Sequence, residues 1–196
     1  MDRQGERWGE PYNLGAPVDS DDNEYFPSLT NDGTIYFTRA KRGERENVIY
    51  RSRLVDGKYQ EPVRLPAQVN AGTTRFNAFI APDESYLLLT VIGRPDAIGR
   101  SDYYVVFRNP DDSWSEPVNL GQPINRPGGM GYSPYVSPDG KYLFFMSVRP
   151  RTDLISTERV TRARLLGLWD EPGNGLADTY WVDAKVIESL RPPKPQ

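Results

Sequence analysis

The chain contains no histidine and no cysteine among its 196 residues. Imidazole bases, thiolate nucleophiles, Ser-His-Asp triads and nitrogen or sulfur metal ligands are therefore excluded. Chemistry is left to carboxylates, hydroxyls, lysines and arginines, and a metal ion could find only oxygen ligands. We expect no cofactor and no metal ion. The 24 Lys+Arg and 27 Asp+Glu give a net charge of −3, so the basic footprint of a nucleic-acid-binding protein is absent.

One aspartate recurs about every 50 residues, each time in a turn-like sequence. The three positions are Asp32, Asp83 and Asp139. Because a turn aspartate accepts backbone N–H groups, we expect these three to be structural repeat positions. Glycoside hydrolysis would need two unique carboxylates at a defined separation, and no such pair stands out. The sequence therefore predicts no catalytic residue.

An arginine and a polar residue bracket the loop that follows the second predicted strand of each unit. The arginines are Arg39, Arg94 and Arg149, and the polar residues are Asn47, Asp102 and Asp178. This spacing predicts a charge-assisted bond that pins each loop, with the polar residues as structural repeat positions. In the alternative, the three arginines form a ligand-binding ring that captures carboxylates of an anionic ligand.

Two short motifs repeat in step along the chain, which indicates a repeated structural unit. The first reads YFPSLTNDG, FNAFIAPDE and YSPYVSPDG, and the second reads WGEPYNLG, YQEPVRLP and WSEPVNLG. Alternating β-branched and aromatic residues between Asp-Gly turns predict short antiparallel strands. The proline of the second motif is tolerated in an edge strand, which places that strand outermost. Four strands in about 50 residues are typical of a β-propeller blade.

The sequence thus predicts an all-β protein, a β-propeller of about three four-stranded blades within residues 1–190. The blade units cover about 24–65, 75–120 and 131–185, and residues 8–14 form an outer strand that could complete the third blade. Complete propellers have about four to eight blades. The chain is therefore a partial propeller, an open arc, or half of a six-bladed ring that a homodimer completes.

The third unit carries a long insertion at 150–175 before its third strand. Leu154, Thr161, Leu165 and Leu168 follow a helical spacing, which predicts a helix packed on one face. A second short helix is expected after Asp183, with Val186, Ile187 and Leu190 buried. The Pro-rich residues 191–196 are expected to form a disordered tail.

The string SPDGKYLFF from Ser137, with weaker copies NDGTIYF and APDESYLLL, resembles the WD40-like PD40 repeat of TolB-type β-propellers. The resemblance covers nearly the whole chain. It implies a non-catalytic scaffold that binds a protein or a cell-envelope glycan, and a periplasmic or secreted location. From the charged N-terminal sequence MDRQGERWGEP we expect no signal peptide in this chain, and no apolar run is long enough to span a membrane.

The alternative function is a propeller-type carbohydrate-active enzyme, either a glycoside hydrolase or a sialidase-like protein. A ring of arginines would resemble the arginine cluster of sialidases. The turn sequence Ser-Pro-Asp-Gly departs from the Ser-x-Asp-x-Gly spacing of the sialidase repeat. Because no nucleophile pair accompanies the arginines, the sequence favours binding over catalysis.

Overall fold

The computed structural model describes residue 1 and residues 3–149 and 159–193. These residues form an all-β structure of short, mostly antiparallel strands with two helices. The strands are β1 Arg3–Gln4, β2 Arg7–Trp8, β3 Asn23–Leu29, β4 Ile35–Ala40, β5 Asn47–Ser52, β6 Leu54–Val55, β7 Lys58–Tyr59, β8 Val63–Arg64, β9 Thr74–Ile80, β10 Tyr86–Ile92, β11 Asp102–Phe107, β12 Val118–Asn119, β13 Met130–Val136, β14 Tyr142–Val148 and β15 Ala177–Asp183. The helices are α1 Arg162–Trp169 and α2 Lys185–Ser189.

Three sheets contain most of the strands, and each sheet follows the order of the chain. The first sheet has the order β3-β4-β5-β8, the second β9-β10-β11-β12 and the third β13-β14-β15. The small hairpins β1-β2 and β6-β7 stand apart from them. Two sheets therefore have the four strands predicted, and the third has three in the described part of the chain.

The hairpin between the first two strands of each sheet turns at the repeated aspartate. The residue after that aspartate has a positive φ in each case, at Gly33, Glu84 and Gly140. Glycine meets this requirement without steric cost. Glu84 meets it as a non-glycine residue with φ 58°, and its side chain is buried against the first sheet.

A β-bulge interrupts the first strand of each of the three larger sheets at the same place. Phe26, Asn77 and Ser133 have φ values of 53°, 52° and 51°, and the pairing with the second strand shifts register at each of them. The first strands of neighbouring sheets lie against one another, β3 beside β9 and β9 beside β13. The side-chain Nδ2 of Asn77 donates to the Ser133 hydroxyl at 2.9 Å, which links two of these bulges.

The second sheet lies between the other two and shares a core with each of them. One apolar cluster joins it to the first sheet through Tyr36, Leu89 and Trp114. A second cluster joins it to the third sheet through Leu88, Tyr103, Phe145 and neighbouring residues. Strands of the second sheet are buried on both faces for this reason, and β11 reads as a continuous apolar run after its first residue.

The structure corrects two expectations about the ends of the chain. Of residues 8–14, only Trp8 is in a strand, and it pairs with Arg3 rather than with the third sheet. Arg191 of the expected disordered tail binds Glu188 through two hydrogen bonds and stacks on Phe107 at 4.2 Å. Residues 194–196 lie outside the described residues.

The insertion forms its predicted helix but does not pack it. Helix α1 begins after Thr161, whose hydroxyl caps the N–H of Arg164, and none of its residues is buried. The predicted Leu154 lies outside the described residues. Helix α2 follows its prediction more closely, because it begins just after Asp183, whose carboxylate accepts the Lys185 N–H. Of the three residues expected to be buried, Ile187 is buried, whereas Val186 and Leu190 are half-buried against the same cluster. Neither helix is long and apolar enough to cross a membrane.

Candidate functional site

The loops at one end of the three sheets contact each other and form a continuous surface. We call it the loop face, and it consists of residues 15–22, 41–46, 66–73, 93–101, 121–129 and 171–176 together with Arg39 and Arg149. The N–H of Arg100 donates to Gly129 at 2.7 Å, and the N–H of Thr73 donates to Ile92 at 2.8 Å. All three arginines predicted from the sequence lie here.

Arg39 is held on the loop face by the first sheet. Its guanidinium donates to Glu24 at 2.7 Å and to the carbonyl of Val18 at 3.1 Å. It also lies over the rings of Phe37 and Tyr50, with the nearer centroid 5.0 Å away. Its ionic partner is thus a glutamate on the neighbouring strand.

Arg94 and Asp102 lie on the same loop without binding each other. Arg94 donates to Asp96 at 2.9 Å and stacks on the Tyr104 ring at 5.1 Å. The buried Asp102 carboxylate accepts backbone N–H groups of Ile98 and Gly99 at 2.6 and 2.9 Å. Asp102 therefore pins the loop through its backbone amides.

Arg149 has the same kind of surroundings in the third sheet. It donates to the carbonyls of Pro123 and Ile124 at 3.0 and 3.1 Å and stacks on Tyr180 at 4.1 Å. Burial lowers the pKa of its guanidinium, although it stays charged at neutral pH. Asp178 accepts the N–H of Gly173 at 2.8 Å, which repeats the loop-pinning contact of Asp102.

The predicted bonds between these arginines and polar residues are therefore wrong in the described residues. The arginines stack on aromatic rings and bind other carboxylates or backbone carbonyls. Asp102 and Asp178 pin their loops alone. Asn47 makes no equivalent contact, and its backbone carbonyl instead accepts a bond from Arg75 at 3.0 Å.

The repeated aspartates lie at the opposite end of the sheets, which we call the turn face. Asp83 accepts the N–H and the hydroxyl of Ser85 at 3.0 and 2.6 Å. Asp139 makes similar bonds with the Lys141 N–H and the Ser137 hydroxyl. The hydrogen bond from the Thr30 hydroxyl, assisted by the Thr34 N–H, lowers the pKa of Asp32 to about 2. These contacts are those expected of turn residues.

A charged cluster on the turn face was not predicted from the sequence. Asp112 accepts bonds from Arg51 of the first sheet and from Arg108 of the second. Arg108 also pairs with Glu84, which accepts the Tyr36 hydroxyl at 2.8 Å. The cluster joins two sheets, and it brings Arg108 and Asp112, which are four residues apart, together with residues far from them in the sequence. Only the twin Asp111-Asp112 turn could have drawn attention to it.

Two buried asparagines were also missed, although their repeated position gives a signal. Asn70 accepts the N–H of Ile49 at 2.8 Å and donates to the Ile49 and Leu65 carbonyls. Asn125 makes the same pair of bonds with the N–H and C=O of Tyr103. Both follow the outer-strand motif at the same distance. Each side chain fastens the loop between two sheets to the third strand of the preceding sheet.

Seven carboxylates of the described residues have a pKa below the ordinary value. Every acidic side chain with a resolved shift has its pKa lowered by hydrogen bonds or by ion pairing, and these are Asp32, Glu46, Asp83, Asp111, Asp112, Asp139 and Glu188. A glycosidase acid needs the opposite shift. No group of three potential acidic metal ligands occurs in the described part of the chain.

Comparison with solved structures finds a likeness to a TolB structure. No family model matches the chain. No curated protein matches it either. The crystal structure of TolB from Acinetobacter baumannii matches with 20% sequence identity and a TM-score of 0.41. The match covers 62% of this chain and 26% of that chain, so it spans about a quarter of that chain's length. A TM-score of this size does not establish a shared fold.

Proposed function

We propose that the protein is a non-catalytic β-propeller scaffold that binds a protein or a cell-envelope glycan through its loop face. The main support for this proposal is the contrast between the two ends of the sheets. On the turn face the three repeated aspartates make equivalent internal contacts. On the loop face the connections after β4, β10 and β14 differ in length and sequence. Binding specificity commonly resides in such variable loops on a repeated framework.

The three sheets serve as PD40-type blades in this proposal. The contact between successive first strands supports it, because β3, β9 and β13 lie side by side as inner strands would. The repeated bulge in those strands supports it further. The resemblance of the repeat favours a periplasmic or secreted location. A homodimer that completes a six-bladed ring belongs to the same proposal.

The three arginines are the proposed ligand-binding residues of the loop face. Arg39, Arg94 and Arg149 are all half-buried and stacked on aromatic rings, which restricts the movement of their guanidinium groups. A restricted guanidinium loses less entropy when it binds a carboxylate. Arg94 has the most accessible ionic partner, Asp96, and an anionic ligand could replace that partner.

A binding titration tests the proposal with a defined anionic glycan. The probe is a soluble disaccharide-tetrapeptide fragment of peptidoglycan, titrated into the full chain by calorimetry. We expect binding that weakens at least tenfold in the Arg94→Ala and Arg149→Ala variants. Lys58→Ala, on the turn-face hairpin, is the matched control and should bind as the unmodified chain does.

A protein ligand is tested by the same variants. Envelope proteins retained by the immobilised chain should be lost with Arg94→Ala and kept with Lys58→Ala. If neither probe binds in an arginine-dependent way, the loop-face proposal fails. Turnover of a chromogenic glycoside, abolished by replacing one carboxylate, would instead favour the carbohydrate-active enzyme.

A further inference from the structure

Residues 8–19 repeat the outer strand and loop at 114–125. Both segments read Trp-x-Glu-Pro, then an Asn-Leu-Gly triplet, and end on an amide or carboxylate at Asp19 and Asn125. In the second sheet this segment supplies β12, which pairs with β11. In the first segment the same sequence has no such strand to pair with in the described residues.

The two segments make similar hydrogen bonds, each within its own loop. The side-chain Oδ1 of Asn119 accepts the Gly121 N–H at 2.8 Å, and the side-chain Oδ1 of Asn13 accepts the Gly15 N–H at 2.5 Å. The Asp19 N–H donates to the Gly15 carbonyl at 3.0 Å, as the Asn125 N–H donates to the Gly121 carbonyl at 2.8 Å. The side chains at the two ends of each loop are also bonded, with the roles exchanged: Asn13 donates to Asp19 at 2.7 Å, and Asn119 accepts from Asn125 at 2.8 Å. The loop of residues 13–19 is therefore preorganised in the form that its copy uses when paired.

The apolar side chains of the two segments differ strongly in exposure. Trp114 is 6% exposed and Leu120 is 4% exposed, whereas Trp8 is 68% and Leu14 is 46% exposed. The 114–125 segment joins the second sheet through β12, whereas Trp8 of the 8–14 segment pairs only in the small hairpin β1-β2 in the described residues. Covering these side chains would bury apolar surface at about 25 cal/mol per Å².

The third sheet presents the complementary gap. Its strand β15 corresponds to β11, yet no fourth strand pairs with its outer edge in the described residues. On the same side of the sheet, Trp181 is 62% exposed and packs edge-on against Tyr142 at 5.2 Å. An open edge beside exposed aromatic rings is a site for strand addition.

We propose that residues 8–19 of one copy add to β15 of a second copy as its outer strand. The position of the segment within its own chain argues for a second copy. Val18 packs in the cluster of Ile35 and Phe37, and its carbonyl binds Arg39, so the segment is anchored to the first sheet. The second sheet separates the first from the third. Residues 8–19 and the open edge of β15 thus lie at opposite ends of the row of three sheets.

In a dimer, the unpaired segment and the open sheet edge of each copy both find a partner in the other copy. The third sheet of each copy pairs with residues 8–19 of the other copy. The first sheet of each copy then lies beside Trp181 and Tyr142 in the third sheet of the other copy. Such head-to-tail contacts close when the rotation between copies permits it. With two copies, the closed ring holds six sheets. The occupant is therefore a second copy of this chain.

The internal repeat also fixes the register of the added strand. Val118 lies opposite Val105, which is three residues after the loop-pinning Asp102. Trp181 is likewise three residues after Asp178. We therefore expect Tyr12 to lie opposite Trp181. Opposed residues on antiparallel strands have Cα atoms about 4.5–5.5 Å apart, which suits a disulfide.

Because the chain has no native cysteine, only introduced cysteines can form a disulfide. The test variant carries Tyr12→Cys and Trp181→Cys and is oxidised at low protein concentration, then run on a denaturing gel without reductant. We expect a covalent species at twice the chain mass of 22.3 kDa. A mixture of the two single variants should give the same species. Light scattering on the unmodified chain should also give twice 22.3 kDa.

Two further pairs control the trapping. Val105→Cys with Val118→Cys should cross-link within one chain, because those residues already lie opposite each other. Tyr12→Cys with Lys58→Cys should not cross-link. A test variant that cross-links only within its own chain would show self-closure and overturn the proposal. Failure to cross-link while the Val105–Val118 pair succeeds would overturn it as well, whatever the mass. Neither result depends on ligand binding, so the loop-face proposal is tested separately.

Discussion

At the scale of single residues, buried amides fasten loops to strands. Asn70 joins the loop before β9 to Ile49, and Asn125 joins the loop before β13 to Tyr103. An asparagine suits this position because its amide both accepts an N–H and donates to a C=O. A carboxylate at the same place could accept but could not donate. These two residues therefore set how each sheet follows the previous one.

Replacing Asn70 with alanine should destabilise the fold. The Ile49 N–H would lose its partner while it stays buried, which costs about 1–3 kcal/mol. Asn31→Ala, at an exposed position in the first turn, should change the free energy of unfolding by less than about 0.5 kcal/mol. Urea unfolding measures both. Equal effects of the two variants would contradict the anchoring role of Asn70.

Asp112 should contribute to acid sensitivity. The bonds from Arg51 and Arg108 lower its pKa to about 2, below the unfolded value of about 3.9. Its stabilising contribution is therefore complete above pH 4 and is lost as the pH falls from 4 to 2. We expect Asp112→Asn to lower the melting temperature at pH 7 and to match the unmodified chain near pH 2. Asp21→Asn, an exposed control, should leave the whole profile unchanged. A constant difference at all pH values would exclude this linkage.

At the scale of elements, the loop after β10 depends on Asp102 rather than on its arginine. Asp102→Ala should cost at least about 1.5 kcal/mol, since the carboxylate holds two backbone N–H groups. Arg94→Ala should cost less, because its partner Asp96 is exposed. A double-mutant cycle should give a coupling below about 0.5 kcal/mol. A larger coupling, measured by urea unfolding, would restore the direct pairing that the spacing first indicated.

The elements also show how far the sequence could lead. The Asp83 turn was predictable because its bonds join residues two positions apart. The partner of Arg94 was not predictable, since the backbone conformation of the loop decides which carboxylate lies within bonding distance. Helical spacing predicted α1 but could not show that Leu165 stays exposed, because periodicity does not reveal what covers a face. Residues 8–14 have the sequence of an outer strand without the neighbour that such a strand requires.

At the scale of the whole molecule, the second sheet couples the other two. Its core clusters extend to the first sheet on one side and the third on the other. The link to the third sheet includes a buried hydroxyl. Tyr103 places that hydroxyl against the N–H and C=O of Tyr132 and the C=O of Met146. One side chain thus connects β11 to two strands of the next sheet.

Tyr103→Phe should therefore weaken the third sheet in particular. The backbone N–H of Tyr132 would lose its acceptor in a half-buried place, at a cost of about 1–3 kcal/mol. Tyr104→Phe is the matched control, since the hydroxyl of this adjacent tyrosine bonds to the exposed Asp96 carboxylate at 3.1 Å and not to the backbone of the third sheet in the described residues. Hydrogen exchange should show faster opening of β13 and β14 in Tyr103→Phe, with β4 and β5 unchanged. The same acceleration in all three sheets would mean that they unfold as one unit, because local opening exposes only the sheet whose contacts are lost.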